Sequence, residues 1–463
     1  MHQQQLTQNA NKTNNQLLQL PKGIHLAPMV RGSELAYRML ARQRGNASLC
    51  YSPMLRDKDV VAVATARPPT KFRTEELAID RAGRTNSIEE TATILLRDSH
   101  PDDTPNLVVQ ICGSNPDILS RATTAILDIY SNKLNNNNRN TETKDGGILL
   151  PFGIDLNLGC PQECALHGNF GAFLVEKNPE AAVACISAMR TAIDDYHYRI
   201  LSTKNEEEDD SMRHKPLLSA KIRLLDKGID ETINFVRNLQ IAGVDFVTVH
   251  CRYRIDKHTG QPDYVSGGKI VTAFSNGNNG NGYLPIILNG GITNINDANR
   301  VLEQTKCHAV MVATGYLNNH RKFDQSSSSS SSSSDNIAHD VVTLALDYLD
   351  YAERYPPPSY LYIQKHMRWV FRDVLQPEND ATFKKFDYTD YRVKLWFLLV
   401  RSYVRNIEQF KLFVALYVKL SNEGDTVAED CDRRVVPQSI HHLVQDATFG
   451  SVKKAGKVEW QYI

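Results

Sequence analysis

The sequence predicts an α/β fold, a (β/α)8 TIM barrel, followed by a smaller carboxy-terminal helical domain. Eight short apolar runs alternate with amphipathic stretches between residues 24 and 313. Near-continuous apolar strands that alternate with helices indicate a parallel sheet covered on both faces. Eight such units favour a closed barrel over an open, doubly wound sheet. A serine run at residues 326–334 then separates this pattern from a helical one.

The predicted elements of the barrel follow one another in regular alternation. The predicted strands are Ile24–Met29, Leu49–Met54, Leu107–Cys112, Phe152–Leu158, Leu217–Leu224, Val244–Cys251, Leu284–Leu288 and His308–Ala313. The predicted helices between them are Ser33–Arg44, Pro116–Tyr130, Pro179–Tyr196, Ile229–Ala242 and Asn294–Glu303. Start signals support two of these helices, since Ser33 precedes Glu34 and Asn178 precedes Pro179.

Composition divides the chain into four parts. We predict a disordered tail at 1–22, a barrel at 23–322, a serine-rich linker at 323–336 and a helical domain at 337–463. The chain carries 53 basic and 53 acidic residues, so any nucleic-acid contact must use a local patch. No apolar run reaches the ~18 residues of a membrane span, so we expect no membrane partner.

The eight cysteines mostly lie in strand-like runs, which indicates reduced thiols in an intracellular protein. Cys160 and Cys164 have the spacing of half a metal site. No second Cys or His pair follows at a suitable distance, so we predict no metal.

The helical domain offers two interpretations. Its predicted helices are Asp340–Tyr351, Ser359–Leu375, Asp390–Arg405 and Ile407–Leu420. Between residues 361 and 420, 11 Lys and Arg stand against 6 Asp and Glu, with aromatic residues interleaved. Such a module can contact RNA phosphates and stack on loose bases. Alternatively the aromatic residues, Trp369 and Trp396 above all, form the core of the domain.

The stretch Asp155–Gln162 carries the strongest sign of chemistry. An apolar run ends there in a Gly-Cys-Pro turn that exposes the thiol of Cys160. Enzymes of the α/β class place reactive groups at the carboxyl ends of strands. The alternative is that Cys160 is merely a small residue in a turn.

The other predicted strands also end in polar or glycine-rich segments. These are Ala27–Val30, Gln110, Asn157, the pair Lys221 and Arg223, the pair His250 and Arg252, Asn289–Gly291 and Ala313–Gly315. A lysine inside an apolar strand needs an anionic partner or a ligand, and glycines after the last strands suit a phosphate site. Taken singly, each has a structural explanation such as a core amide or a tight turn. Together they describe a flavin mononucleotide site, with Lys221 stabilising negative charge on the reduced ring.

These residues resemble the tRNA-dihydrouridine synthase family over about residues 23–320. The resemblance rests on Leu26–Leu40, Leu49–Leu55, Asp155–Leu174 and the pairs Lys221/Arg223 and His250/Arg252. The segment Asn-Leu-Gly-Cys-Pro-Gln, followed by Gly-Ala-Phe-Leu, is most similar to eukaryotic enzymes that act at positions 16 and 17 of the tRNA D-loop.

The resemblance implies an oxidoreductase that reduces the uridine C5=C6 bond in tRNA with FMN and NAD(P)H, NADPH being preferred. Cys160 matches the proton donor. The residues that match the cofactor site are Pro28, Met29, Val30, Gln110, Lys221, His250, Asn289, Gly290, Gly291, Ala313 and Thr314. Asn157 is expected to bind the uracil or to orient Cys160, and Arg223 and Arg252 to meet RNA phosphate or the phosphate side of the flavin.

Two positions depart from the family pattern. Thr314 stands where many members have arginine, so backbone amides or another basic residue must meet the phosphate. Cys251 replaces a glycine beside His250. We further expect a monomer in the cytoplasm, with the nucleus as a possible additional location.

Two other functions are compatible with the same residues. One is an FMN oxidoreductase of free pyrimidines, similar to a dihydroorotate or dihydropyrimidine dehydrogenase, which needs no basic helical domain. The other is a non-catalytic RNA-binding protein, against which the joint presence of Cys160, Lys221 and His250 argues.

Overall fold

A computed structural model gives the architecture of the chain. It describes residues 20–65, 87–98, 100–137, 150–202, 215–257, 259–275, 282–324, 334–376, 391–400 and 404–423. These residues form two compact units, the first reaching residue 324 and including Arg354–Ser359, the second holding the remaining residues from 334 onwards. Within these ranges, no helix has the length and apolar character to span a bilayer.

The first unit is a closed parallel barrel. Its strands are β1 Gly23–Leu26, β2 Ala47–Tyr51, β3 Leu55–Arg56, β4 Leu107–Cys112, β5 Gly153–Leu158, β6 Leu217–Leu224, β7 Phe246–Tyr253, β8 Ile286–Asn289 and β9 Ala309–Val312. The strand order is β2-β1-β9-β8-β7-β6-β5-β4-β3, and β2 also pairs with β4 to close the ring. The two-residue β3 only extends the edge of β4. The predicted (β/α)8 barrel is therefore confirmed.

Helices surround the strands in sequence order. They are α1 Leu35–Gly45, α2 Asp57–Thr65, α3 Ser87–Ala92, α4 Pro116–Asn137, α5 Glu163–Gly168, α6 Ala172–Lys177, α7 Pro179–Ser202, α8 Ile229–Ile241, α9 Tyr264–Ser275, α10 Ile295–Thr305 and α11 Thr314–Asn318. All five predicted helices are present. The prediction missed α9, which contains Gly267 and Gly268, because two glycines normally weaken a helix.

Several strand boundaries differ from those predicted, for physical reasons. The strand β1 ends at Leu26 and β2 ends at Tyr51, before Pro28 and Pro53, because proline has no N–H for the strand ladder. In contrast, β7 continues to Tyr253. Its last residues are polar because they line the mouth of the barrel, where an apolar pattern cannot reveal them.

The barrel interior is apolar at its amino end and polar towards its carboxyl end. One buried cluster contains Leu49, Tyr51, Val108, Phe152, Leu217, Phe246, Ile287 and Met311, with Leu20 from the segment before β1. Along β6 the inward positions then become Ser219, Lys221 and Arg223. The apolar half is the packed core, and the polar half forms the site.

The second unit is helical, with α12 Ser334–Arg354, α13 Tyr360–Leu375, α14 Tyr391–Val400 and α15 Ile407–Glu423. Its core is aromatic: Phe371 packs edge-on against Phe413 and Tyr417, with ring centroids 5.2 and 5.0 Å away. Trp369 and Trp396 are only partly buried, so they lie at the edge of this core and do not form its centre. Each tryptophan ring faces a guanidinium group. The guanidinium carbon of Arg372 lies 5.0 Å from the ring centroid of Trp369, and that of Arg368 lies 5.9 Å from the ring centroid of Trp396. Three of the interleaved aromatic residues, Phe386, Tyr388 and Tyr403, lie outside the described residues.

Candidate active site at the barrel mouth

The predicted site residues gather at one end of the barrel. The carboxyl halves of four strands carry Gln110 (β4), Asn157 (β5), Lys221 and Arg223 (β6), and His250 and Arg252 (β7), and β8 ends at Asn289. The segments that follow the strands carry Pro28, Met29, Val30, Cys160, Gly290, Gly291, Ala313 and Thr314. Strand register places Asn157 beside Lys221, Arg223 beside His250, and His250 beside Asn289. Because all strands are parallel, these side chains share one rim.

The loop after β5 holds Cys160 by its backbone. Asn157 Oδ1 accepts hydrogen bonds from the N–H groups of Gly159 and Cys160, at 3.2 and 3.0 Å. The carbonyl of Cys160 accepts from Ala172 N at 3.2 Å. A side chain at Gly171, whose φ is +65°, would place Cβ 2.8 Å from that carbonyl oxygen, so this position requires glycine.

The thiol of Cys160 is protected from ionisation. It lies in a cluster with Cys112, Ala165 and Phe170. Its hydrogen bond with Cys164 and its burial raise the pKa of Cys160 above the ordinary thiol value. The thiol therefore stays protonated at neutral pH, as a proton donor requires. Throughout the described ranges, no three His, Cys, Asp or Glu side chains are grouped as metal ligands.

Asn157 uses all of its hydrogen-bonding capacity inside the protein. Its Nδ2 donates to Gln110 Oε1 at 2.9 Å and to Met54 Sδ at 3.2 Å. Its Oδ1 is occupied by the two N–H groups of the Cys160 loop. Of the two roles expected for Asn157, this geometry favours orienting Cys160.

Asp155 belongs to the same group of side chains, although the sequence suggested no role for it. Its Oδ2 accepts from Gln110 Nε2 at 2.8 Å, and its Oδ1 accepts from Ser219 Oγ at 2.6 Å. The carboxylate is fully buried, and burial raises the pKa of Asp155 to about 6. The available signal was a single acidic residue in an apolar strand, two positions before Asn157 and therefore on the same face.

Lys221 is a cation without a fixed partner. Its ammonium makes no hydrogen bond and no ion pair with any residue that the structure describes. Burial, followed by the charge of Arg223, lowers the pKa of Lys221 to about 8, and the charge of Asp155 offsets this only in part. A partly buried ammonium of this kind is suited to an anionic ligand.

The two arginines of the site have different surroundings. Arg223 is 3% exposed and donates to the carbonyls of Gly159 at 2.9 Å and Tyr253 at 3.1 Å, which ties the Cys160 loop to the end of β7. Arg252 donates through Nη1 to His250 Nε2 at 3.1 Å. Its Nε and Nη2 donate to the carbonyl of Gly260 at 3.1 and 3.0 Å.

The turn after β8 has the backbone of a phosphate cradle, and Arg252 lies against it. Gly290 and Gly291 have φ values of +128° and +64°, which favour glycine. A Cβ at Gly290 would lie 3.3 Å from Arg252 Nη1. Thr314, which begins α11, is exposed and brings no charge. Arg252 is therefore a basic side chain that lies against this glycine turn.

The remaining family departure, Cys251, has a local explanation. A Cβ at Gly267 of α9 would lie 2.9 Å from Cys251 Sγ. The glycine in this helix thus leaves the space that the cysteine side chain occupies. Cys251 and Gly267 therefore pack as a matched pair.

The chain offers suitable groups for a flavin with a phosphate tail. Lys221 is an unpaired cation within the described chain, Gln110 keeps one amide hydrogen beyond the one donated to Asp155, and Arg252 borders the glycine turn. A separate groove of about 450 Å³ lies between α7 and α8 on the outside of the barrel. Its lining contains none of the predicted site residues, so it has no part in this site.

Comparisons with known proteins identify relatives of this chain. Residues 151–390, more than half of the chain, match the family model for dihydrouridine synthase (Dus). A mouse tRNA-dihydrouridine(16/17) synthase [NAD(P)(+)]-like protein is 28% identical over 76% of this chain and 55% of its own length. A mouse tRNA-dihydrouridine(20a/20b) synthase [NAD(P)+]-like protein is 28% identical over 64% of this chain and 68% of its own. A Schizosaccharomyces pombe tRNA-dihydrouridine(20) synthase [NAD(P)+] is 26% identical over 64% of this chain and 51% of its own length.

The chain spans 55% of the length of the mouse 16/17 relative and 60% of the length of a rat protein of the same name. The matched region includes the strands that carry Cys160, Lys221, His250 and the Gly290–Gly291 turn. This chain belongs to the dihydrouridine synthase family.

Proposed function

We propose that this protein reduces the C5=C6 bond of a uridine in the tRNA D-loop, at positions 16 and 17, with FMN and NADPH or NADH. One observation carries the proposal: a protonated Cys160 and an unpaired Lys221 share the rim of a barrel of this family. The names of the relatives, which specify tRNA and NAD(P), support the substrate and the reductant.

The residues that would hold FMN form two groups. Pro28, Met29, Val30, Gln110, Lys221 and His250 would contact the ring system, and Asn289, Gly290, Gly291, Ala313, Thr314 and Arg252 the phosphate side. When bound, the flavin supplies the hydride that adds to C6 of the uracil. The ammonium of Lys221 provides the positive charge that the reduced ring needs.

Cys160 supplies the proton to C5. Its raised pKa keeps the proton on Sγ until the uracil accepts it, and the two N–H groups bound to Asn157 fix the position of the loop. The thiolate that remains is stabilised by positive charge, because Lys221 and Arg223 both interact electrostatically with Cys160. The same charges favour proton transfer to the substrate.

The target base must leave the tRNA stack to reach this rim, at a cost of a few kcal/mol. The helical unit is an argument for an RNA substrate. Arg368 and Arg372 lie over partly buried tryptophan rings, so the unit presents cations and aromatic faces together, as single-stranded nucleic acids require. The proposal includes a monomer that works in the cytoplasm, with the nucleus as an additional location.

Dihydrouridine mapping of tRNA from cells with and without this protein tests the function. We expect loss of the modification at positions 16 and 17. Loss at position 20, 20a or 20b instead would change the assigned position, and an unchanged map would refute the tRNA activity.

A purified-protein assay separates the alternative functions. We expect yellow protein that oxidises NADPH and reduces tRNA uridine. Cys160→Ala should keep the colour and lose uridine reduction, whereas Cys164→Ser, which keeps a hydrogen-bonding group beside Cys160, should keep both. Reduction of free pyrimidines without tRNA would identify a small-molecule oxidoreductase, and colourless protein that takes up no FMN would indicate an RNA-binding protein.

A further inference from the structure

A continuous chain of hydrogen bonds runs from the middle of the barrel to the backbone of Cys160. Asp155 accepts from Gln110, Gln110 accepts from Asn157, and Asn157 accepts from the N–H of Cys160, at 2.8, 2.9 and 3.0 Å. Asp155 and Gln110 are 0% and 1% exposed, so water has no access to most of this chain. We refer to Asp155, Gln110 and Asn157 as the amide relay.

The direction of the amide relay is fixed at both ends. The N–H groups of Gly159 and Cys160 can only donate, so Asn157 must turn its oxygen towards them and its Nδ2 towards Gln110. A carboxylate can only accept, so Gln110 must turn its Nε2 towards Asp155 and its oxygen towards Asn157. Each amide therefore has one orientation that satisfies both neighbours.

We propose that Asp155 is a positioning residue, whose carboxylate sets the orientation of Gln110 and Asn157 and thereby holds Cys160 in place for proton transfer. The role of Cys160 in this statement rests on the proposed function. The geometry of the relay does not depend on that function.

The orientation of Gln110 depends on the acceptor that Asp155 provides. Ser219 Oγ occupies Oδ1 as a donor at 2.6 Å, and Gln110 Nε2 occupies Oδ2 as a donor. An amide at position 155 could keep both contacts, because its oxygen would accept from Gln110 and the Ser219 hydroxyl can turn to accept. A leucine of similar size offers no acceptor, so nothing would then hold the NH₂ group of Gln110, and Gln110 would be free to reverse.

A reversed Gln110 would conflict with Asn157. Its NH₂ group would face Nδ2 of Asn157, which would reverse in turn and point its own NH₂ group at the N–H groups of Gly159 and Cys160. The loop would lose both hydrogen bonds that now fix it. Leaving buried donors unpaired is more costly than removing a hydrogen bond cleanly.

The test uses full-length Asp155→Leu and two readouts. In single-turnover reactions with prereduced protein and tRNA, we expect uridine reduction to slow by about 10- to 100-fold, the range for loss of one charge-assisted interaction at a reacting group. In a Cys164→Ser background, alkylation of Cys160 by iodoacetamide should accelerate by about fivefold or more, because the freed loop exposes the thiol and lets its pKa fall.

A second substitution should restore the direction of the relay. In Asp155→Leu/Gln110→Glu, the new carboxylate at 110 has no NH₂ group to turn and accepts from Asn157, so Asn157 keeps its present orientation. We expect the alkylation rate of Cys160 to return to within about twofold of the parent. Ser219→Ala is the matched control: it removes a hydrogen bond from the same carboxylate without reversing any amide, and it should leave the alkylation rate of Cys160 nearly unchanged.

Three results would overturn the role of Asp155: parental alkylation in folded Asp155→Leu, equal effects of Ser219→Ala and Asp155→Leu, or no recovery in the folded double variant. If Asp155→Leu does not fold, Gln110→Leu breaks the relay at its centre without changing charge. Alkylation of Cys160 should then accelerate as described for Asp155→Leu, and a parental rate, or a rate equal to that of Ser219→Ala, would overturn the role. Alkylation needs no catalytic activity, so failure of the proposed function would show in the parent protein's tRNA assay and remain distinct from failure of the relay.

Discussion

Replacing Lys221 by methionine should stabilise the flavin-free barrel while abolishing flavin binding. The pKa of Lys221 is about 8 in the fold and 10.5 in a free chain, chiefly because of burial. At pH 7 the lysine is therefore charged and costs the fold about 3 kcal/mol, at about 1.4 kcal/mol per pKa unit. Because the pKa of Lys221 already contains the attraction of Asp155, we expect the variant to gain about 3 kcal/mol.

The pH dependence gives this expectation a definite sign. Folding lowers the pKa of Lys221. The free-energy cost of its charge is therefore complete below pH 8 and disappears as the pH rises through 10.5. The stability gap between Lys221→Met and the parent should therefore shrink by about half between pH 7 and pH 9.5. Urea unfolding of the FMN-free proteins at both pH values measures it.

The exposed Lys227 provides the matched control, and Lys227→Met should change the free energy of unfolding by no more than about 0.5 kcal/mol. Saturating FMN, at a hundred times its dissociation constant, should stabilise the parent by about 2.7 kcal/mol and leave Lys221→Met unaffected. A Lys221→Met protein that is less stable than the parent at pH 7, or a gap that stays constant with pH, would contradict the assignment of Lys221 as an unpaired cation.

Three further outcomes are expected. Gly171→Ala should lose about 2–3 kcal/mol of stability in urea unfolding and should slow uridine reduction, because the new Cβ meets the Cys160 carbonyl. Gly228→Ala is its control. Gly228 also has a positive φ, +108°, but no described atom lies within 4 Å of a Cβ built there, so this variant should leave uridine reduction unchanged. The pKa of His25 is lowered to about 4 by burial, so between pH 7 and 4.5 the parent should lose about 2–3 kcal/mol relative to His25→Gln in the same urea titrations. Arg252→Met should weaken FMN binding about 10- to 100-fold and riboflavin binding hardly at all, as followed by flavin fluorescence; equal losses would place Arg252 away from the phosphate.

The fold was accessible from the sequence because buried strands and amphipathic helices leave regular apolar patterns. The same reasoning failed where side chains line the mouth: β7 continues past the predicted end at Cys251 to Arg252 and Tyr253, which a search for apolar runs does not recognise as strand. The helix α9 was missed because Gly267 is unfavourable in a helix by its own propensity. The glycine leaves space for the side chain of Cys251, and this contact is visible only in the folded structure.

The site was accessible only in part. Each strand end could be read by itself, but the contacts between strands depend on register. The bond between Asp155 and Gln110 joins residues that are 45 positions apart, and the approach of Arg252 to Gly290 depends on two successive strand ends. Neither relation leaves a mark in the local sequence, so a role for Asp155 and the position of Arg252 emerged only from the structure.

The ring closes through a short seam. Only two residue pairs, Cys50 with Leu107 and Tyr51 with Val108, join β2 to β4, whereas six pairs join β5 to β6 and six join β6 to β7. Local openings of a protein begin where few backbone hydrogen bonds must break. A breathing motion of the barrel should therefore start at β2 and β4, and leave the strands that carry Asn157, Lys221 and His250 paired while it lasts.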